Sequence, residues 1–212
     1  MKSSLGNPDF LIIGGGIFGC SIAWNLARRT SGSVLLLERR ELATATTPRA
    51  AGLIRNLNLK KGQTPLKTLT IEAISLLGDE LEETLQWHQV GGLLVAKSEA
   101  NIMHLETLER HAIEHRQKFQ WIDRTDAEEM VPWLDGSSAA KFALLLDDGF
   151  IDPYLFTQFY ARAARKHGAL LKTGIEVTAL QNSGNRITGV QTQQGEISAG
   201  CVIDAAGPWA GL

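Results

Sequence analysis

The chain has 212 residues, 44% of them hydrophobic and 21% charged, which describes an ordinary globular protein able to bury one substantial core. A formal net charge of −2, with no Lys/Arg block, argues against nucleic acid as a partner. The two cysteines, Cys20 and Cys201, have no metal-knuckle or disulfide spacing and read as small buried hydrophobes in a reducing compartment.

The run Phe10-Leu11-Ile12-Ile13 is apolar at every position, as a parallel strand buried on both faces requires. It stops at three glycines. From Ile17 to Arg29 the apolar residues fall at helical spacing and the segment closes on basic residues, so a helix is predicted. Val34-Leu35-Leu36-Leu37 is a second buried strand, ending in Glu38, and strand, helix, strand within about thirty residues is a βαβ unit. The glycines and Asn25 break the apolar stretch Phe10 to Ala27, so neither a signal peptide nor a membrane span is expected. A cytoplasmic location follows, with peripheral membrane attachment left open.

An irregular Thr/Ala/Gly stretch from Arg39 to Gln63 precedes an amphipathic helix expected over Pro65 to Trp87. Gly92 to Ala96 reads as a strand, Glu99 to Phe119 as a helix, and Thr125 to Glu128 as a helix start. Lys141 to Asp148 reads as a strand able to pair with the one near Leu94. Asp152-Pro153 supplies a helix cap and first-turn proline, opening a helix to about His167 that Gly168 ends. Short strands follow: Ile175 to Leu180, Ile187 to Thr192 after a Gly184-Asn185 turn, and Cys201 to Asp204 after a turn near Gly195.

The glycine cluster spells Gly14-x-Gly16-x-x-Gly19, between a strand and a helix, with Glu38 about two dozen positions on. Gly14 permits the turn, Gly16 lets backbone approach a pyrophosphate, and Gly19 lets the helix pack closely on the sheet. The pyrophosphate would sit at the helix N-terminus, with Glu38 accepting from both ribose hydroxyls and repelling a 2′-phosphate. These residues predict a dinucleotide site without choosing between FAD and NAD. The loop Thr44 to Leu53, small residues with hydroxyls and one cation, suits a second stretch of phosphate and ribityl; an ordinary exposed loop is the competing reading. Ala205-Ala206-Gly207-Pro208-Trp209 is a turn that can bring a strand end close to a cofactor, or simply a strand exit.

The ordered set Gly14-Gly15-Gly16-Ile17-Phe18-Gly19, Glu38, Thr46-Thr47 with Ala50-Ala51-Gly52, Asp152-Pro153 and Ala205 to Trp209 resembles the D-amino-acid oxidase-like family. That family includes glycine oxidase, sarcosine oxidase and D-amino-acid dehydrogenase, all flavoproteins. The resemblance implies an α/β fold, a Rossmann-like FAD-binding domain with a small, incomplete α+β substrate domain inserted. The expected division is 1–88 and 149–212 for the FAD domain and 89–148 for the start of the substrate domain. Family members run well past this length, so the rest of the substrate sheet and the residues that grip a substrate carboxylate are expected beyond this sequence.

The same resemblance implies that Gly14, Gly15, Gly16, Ile17, Phe18, Gly19, Glu38 and Arg39 bind the ADP moiety. Thr46, Thr47, Arg49, Ala51, Gly52 and Leu53 would serve the flavin side, Val177 would meet the adenine through its backbone, and Ala206 and Gly207 would lie near the isoalloxazine. Where several relatives attach flavin through His or Cys, this loop carries Thr46, Thr47 and Arg49, so FAD is expected to be non-covalent.

The implied activity is oxidation of the C–N bond of a small amine or amino acid by hydride transfer to flavin, with oxygen or an electron carrier as acceptor. The flavin performs the chemistry, so no acid–base dyad is required and no catalytic side chain is assigned. The alternatives are an FAD-dependent hydroxyacid or glycerol-3-phosphate-type dehydrogenase, and a truncated nucleotide-binding subunit without activity of its own. An oligomer fits any of these. Arg49 and Arg55 read equally as surface charges, and Trp87, Trp121 and Trp133 as packing residues. His111 and His115 stand four apart on a predicted helix, but with no third ligand at useful spacing they read as structural or solvated, and no metal is expected.

Overall fold

A computed structural model of the chain describes residues 6–55, 57–60 and 63–211. In chain order its elements are strand β1 (Phe10–Ile13), helix α1 (Ile17–Arg29), β2 (Val34–Leu37), β3 (Leu53–Ile54), α2 (Gln63–Leu81), β4 (Trp87–His88) and β5 (Gly92–Ala96). Then come α3 (Glu99–Glu114), β6 (Phe119–Ile122), α4 (Arg124–Met130), β7 (Lys141–Leu145), β8 (Gly149–Ile151), α5 (Pro153–Lys166) and β9 (Leu170–Lys172). The chain continues through β10 (Val177–Ser183), β11 (Arg186–Thr192), β12 (Gly195–Ser198) and β13 (Cys201–Asp204), with single 3-10 turns at Thr47–Arg49 and Gly207–Trp209. Packing groups these into two units: Met1–Ala50 with Leu77–Leu85 and Asp152–Leu212, and Ala51–Leu76 with Gln86–Ile151.

The first unit is built on a parallel sheet in the order β13-β1-β2-β9, with Phe10 opposite both Val34 and Cys201. All four residues of β2 are buried, which explains their unbroken apolar run. One side of the sheet carries the packed pair α1 and α5, where Trp24, only 2% exposed, meets Tyr160 at 5.4 Å between ring centroids. The indole N–H of Trp24 donates to Glu80 Oε2 at 2.8 Å, and His167 Nε2 lies 3.1 Å from the same oxygen. The other side is covered by the antiparallel sheet β10-β11-β12, whose Val190 and Ile197 join Leu11, Leu35, Leu37 and Ile175 in one core.

In the second unit β7 lies between β5 and β6, all antiparallel, and β8 lies between β3 and β4. The expected pairing forms, with Leu94 opposite Ala143. Ala96, Leu105, Leu108, Ala112, Ala143 and Leu145 form its core.

Several boundaries differ from expectation for identifiable reasons. Helix α2 ends at Leu81 rather than Trp87, because Glu82 turns left-handed (φ 55°) and Glu83 N–H returns to Gly78 O at 3.1 Å. Helix α3 ends at Glu114 rather than Phe119 by the same device, with Arg116 at φ 55° and Gln117 N–H on Ala112 O at 2.8 Å. Phe119 is the first residue of a strand instead. Cys20 is buried as expected; Cys201 is exposed, because β13 is the outer strand of its sheet. Strand β9, too short to announce itself in the sequence, extends the parallel sheet by pairing Leu35 with Leu170.

Candidate functional site

Three parallel strands end at one place. β1 runs into Gly14, β2 into Glu38 and β13 into Ala205, and all three residues line a cavity of about 700 Å³. The crevice lies off the carboxyl ends of the strands, between β1, from which the chain proceeds outward to β2, and β13 on its other flank.

The turn that opens the cavity exists only with glycine. Gly14 sits at φ 105°, its N–H bonded to Leu37 O at 2.8 Å, and a Cβ there would stand 2.5 Å from the Ala205 carbonyl oxygen. At Gly19 a Cβ would stand 1.9 Å from the Gly14 carbonyl oxygen, so the helix approaches the turn as closely as backbone permits. Gly16 caps α1 with no side chain, and no acidic residue occupies the first helical turn. The positive end of that helix therefore faces the cavity without a carboxylate of its own to neutralise it.

Glu38 is held at the wall by two backbone donors, Gly15 N–H on Oε2 at 2.7 Å and Arg40 N–H on Oε1 at 2.9 Å. Each carboxylate oxygen has a second lone pair, leaving the group able to accept two more hydrogen bonds. Ile175 N–H bonds the Glu38 carbonyl at 3.0 Å, which brings the start of β10, with Ile175, Glu176, Val177 and Thr178, to the cavity. At the helix terminus Thr47 Oγ1 accepts from Ile17 N–H at 3.2 Å. The Arg39 guanidinium lies 4.8 Å from the Trp209 ring centre and 3.9 Å from Glu176 Oε1.

Of the residues singled out in the sequence, Gly14, Gly16, Ile17, Phe18, Glu38, Arg39, Thr46, Thr47, Val177, Ala206 and Gly207 line this cavity. Gly15 and Gly19 shape it from behind. Phe18 is 76% exposed and presents its ring at the cavity surface. Arg49 is not brought to it: its guanidinium donates to the carbonyls of Thr44 and Ala45 within its own loop. Ala51, Gly52 and Leu53 belong to the second unit, where Gly52 turns at φ 70° and accepts from Ile151 N–H at 3.0 Å, and Leu53 opens β3. Sequence reasoning missed Ala43, which turns at φ 59° and whose N–H caps the Gly15 carbonyl at 2.9 Å. It also missed Glu176 as a wall residue, since only its neighbour Val177 carried a recognisable pattern, and it read Trp209 as part of the cofactor-facing turn without assigning it a contact.

Away from the cavity, His111 and His115 have a carboxylate between them that the sequence pattern did not single out. Glu114 Oε2 lies 3.5 Å from His111 Nδ1, and the two imidazoles meet edge to face at 4.3 Å.

A family model described as DAO, FAD dependent oxidoreductase, matches residues 9–212. The chain belongs to this family. Among DAO relatives it is 33% identical over 206 residues to mitochondrial dimethylglycine dehydrogenase of Homo sapiens, covering 95% of this chain and 23% of that protein. It is 30% identical to one component of the anaerobic glycerol-3-phosphate dehydrogenase of Escherichia coli strain K12, covering 96% of this chain and 38% of that one. The crystal structure of L-proline dehydrogenase from P. horikoshii superposes with a TM-score of 0.89 at 27% identity, over 97% of this chain and 54% of that one. The chain thus spans roughly a quarter to a half of the length of these relatives.

The cavity fits the ADP part of the DAO-family cofactor. Its volume lies in the range of about 300–1,000 Å³ typical of ligand sites. The helix terminus, capped by a glycine and without an acid in its first turn, suits a diphosphate, and the anchored Glu38 carboxylate suits a ribose. Among the described residues, no helix is long and apolar enough to cross a membrane.

Proposed function

We propose that this chain is part of a flavoenzyme that oxidises the C–N bond of a small amine or amino acid, of the glycine, sarcosine or D-amino-acid type. The observation that carries the reading is the glycine-built turn at the strand ends, with Glu38 pinned beside it in a cavity lined by Ala206 and Gly207. Membership of the DAO family and the names of its relatives, an N-methyl amino-acid dehydrogenase and a proline dehydrogenase, support the amine class.

In this reading the amides at the start of α1 hold the diphosphate, and Glu38 takes the ribose hydroxyls while excluding a 2′-phosphate. Thr46 and Thr47 offer hydroxyls beside the same terminus, and Val177 with Trp209 closes the adenosine side. FAD, when bound, supplies the hydride acceptor, so the protein's part is to orient and enclose rather than to transfer protons. Non-covalent attachment is part of the proposal, since the loop through which several relatives attach flavin by His or Cys carries Thr46, Thr47 and Arg49 here. The reduced enzyme would return its electrons to oxygen or to a carrier.

The purified chain should be yellow and release its flavin on denaturation; a colourless protein that binds NAD and not FAD would overturn the reading. Glycine, sarcosine, dimethylglycine, proline and D-amino acids are then screened anaerobically for loss of flavin colour. The similarity to the glycerol-3-phosphate dehydrogenase favours one other reading, a hydroxyacid or polyol dehydrogenase. Bleaching by glycerol 3-phosphate and by none of the amines would select it. Flavin that binds but is bleached by none of them would identify a nucleotide-binding part without activity of its own.

A further inference from the structure

We infer that His111, Glu114 and His115 form a site for a divalent transition-metal ion of the zinc class, separate from the dinucleotide cavity. His111 and Glu114 stand on the last turn of α3 and His115 caps it; the spacing i, i+3, i+4 gathers the three side chains, and their candidate ligand atoms all lie within 4.8 Å of one another.

The tautomer of His111 is what turns this cluster into a site. Among the described residues Thr64 Oγ1 has three hydrogen-bonding neighbours: it accepts from Asn58 N–H at 3.1 Å, reaches the Asn58 carbonyl at 3.0 Å and lies 3.3 Å from His111 Nε2. The carbonyl can only accept, so it takes the single hydroxyl proton. The remaining contact is a hydrogen bond only if His111 Nε2 carries a hydrogen and donates it. In the neutral ring this leaves Nδ1 as a bare lone pair, and Nδ1 faces the Glu114 carboxylate oxygen at 3.5 Å. Two acceptors confront each other, and a cation belongs between them.

The separation leaves room for a metal ion. A hydrogen bond from nitrogen to oxygen peaks at about 2.9–3.0 Å. Two ligands about 2.0–2.1 Å from a tetrahedral zinc ion lie about 3.4 Å apart. The observed 3.5 Å matches the second figure. Thr64 then plays the outer part that metal-bound histidines generally require, fixing the ring through its other nitrogen. The carbonyl end of α3 adds negative potential, and the exposed Glu114 and half-buried His115 can close the wider gaps by rotation. Two imidazoles and one carboxylate select zinc, nickel or copper above magnesium or calcium, with water completing the shell.

The test uses the full chain, stripped with EDTA and titrated with ZnCl₂ by calorimetry and thermal melting. One equivalent is expected to bind and raise Tm. The variants H115N and E114Q, both at a helix end, should fold and melt like the parent without metal and lose that response. Thr64→Val should weaken zinc binding about 10- to 100-fold, with Thr64→Ser restoring it. The inference is overturned if zinc acts equally on the parent and on H115N and E114Q. It is also overturned if zinc has no effect; ¹⁵N NMR that then finds both His111 nitrogens protonated would assign the gap to a proton. Equal binding of MgCl₂ would overturn the assignment to the zinc class.

Discussion

Glu38 illustrates how much a single side chain can be asked to do. Its carboxylate joins the end of β2 to the glycine turn through Gly15 N–H and steadies its own loop through Arg40 N–H. Replacing it with Gln leaves one oxygen for two backbone donors and sets an NH₂ against the other, a mismatch of about 1–3 kcal/mol. Glu38→Gln should therefore weaken FAD binding about tenfold or more, read by fluorescence titration; unchanged affinity would exclude Glu38 from the ribose contact. The cysteines give a second test at this scale. Burial pushes the Cys20 thiol up to about 12, whereas Cys201 stands on an exposed edge. One thiol should react with Ellman's reagent in the native protein and two in denaturant. The glycines and Glu38 were legible because steric and hydrogen-bonding demands select those residue types at fixed spacing. Ala43 and Glu176 were not, since their place at the cavity follows from the fold and not from their chemistry.

At the scale of elements, helix ends separate what local sequence can and cannot announce. Gly168, left-handed at φ 90° with Ala169 N–H on Ala164 O at 3.0 Å, ends α5 where a glycine is the natural signal. Glu82 and Arg116 close α2 and α3 by the same backbone path without glycine, so the apolar periodicity runs on past the true helix ends. A non-glycine residue pays about 1–2 kcal/mol for that conformation, partly offset by the greater unfolded freedom of glycine. Glu82→Gly should accordingly raise stability by about 0.5–1 kcal/mol, seen as a higher urea midpoint at constant slope. Asp9 ties β1 to β2: its carboxylate accepts from the Ser33 backbone N–H at 2.7 Å and hydroxyl at 2.8 Å. These bonds, the backbone one first, hold its carboxyl below the usual carboxylate range. A depressed folded-state value means the contribution is complete above the ordinary carboxylate range and is lost as pH falls through the lowered value. Below about pH 4, where free Asp begins to protonate, Asp9→Asn should lose less further stability than the parent. An identical acid limb in both proteins would remove Asp9 from the account.

For the whole molecule, the dinucleotide site proposed in the first unit has a consequence through linkage. FAD at a hundred times its Kd should stabilise the chain by about 2.7 kcal/mol, whereas NAD at the same concentration should not move the melting curve. A shift with NAD alone would redirect the cofactor assignment. Sequence by itself determined the βαβ opening, the three glycines and the acid at the end of β2, because each is enforced by backbone sterics or continuous burial within about thirty residues. It also determined the cap of α5, where Asp152 Oδ1 accepts from Leu155 N–H at 2.9 Å. Only the three-dimensional structure showed that β13 and β9 flank the opening strands, and that Ala43 and Glu176 line the same cavity as Gly14. It alone placed Thr64 against His111, which sets the ring nitrogen facing Glu114. Such pairings join segments dozens of residues apart, and their register is set by which buried surfaces fit together, a property that no local spacing contains.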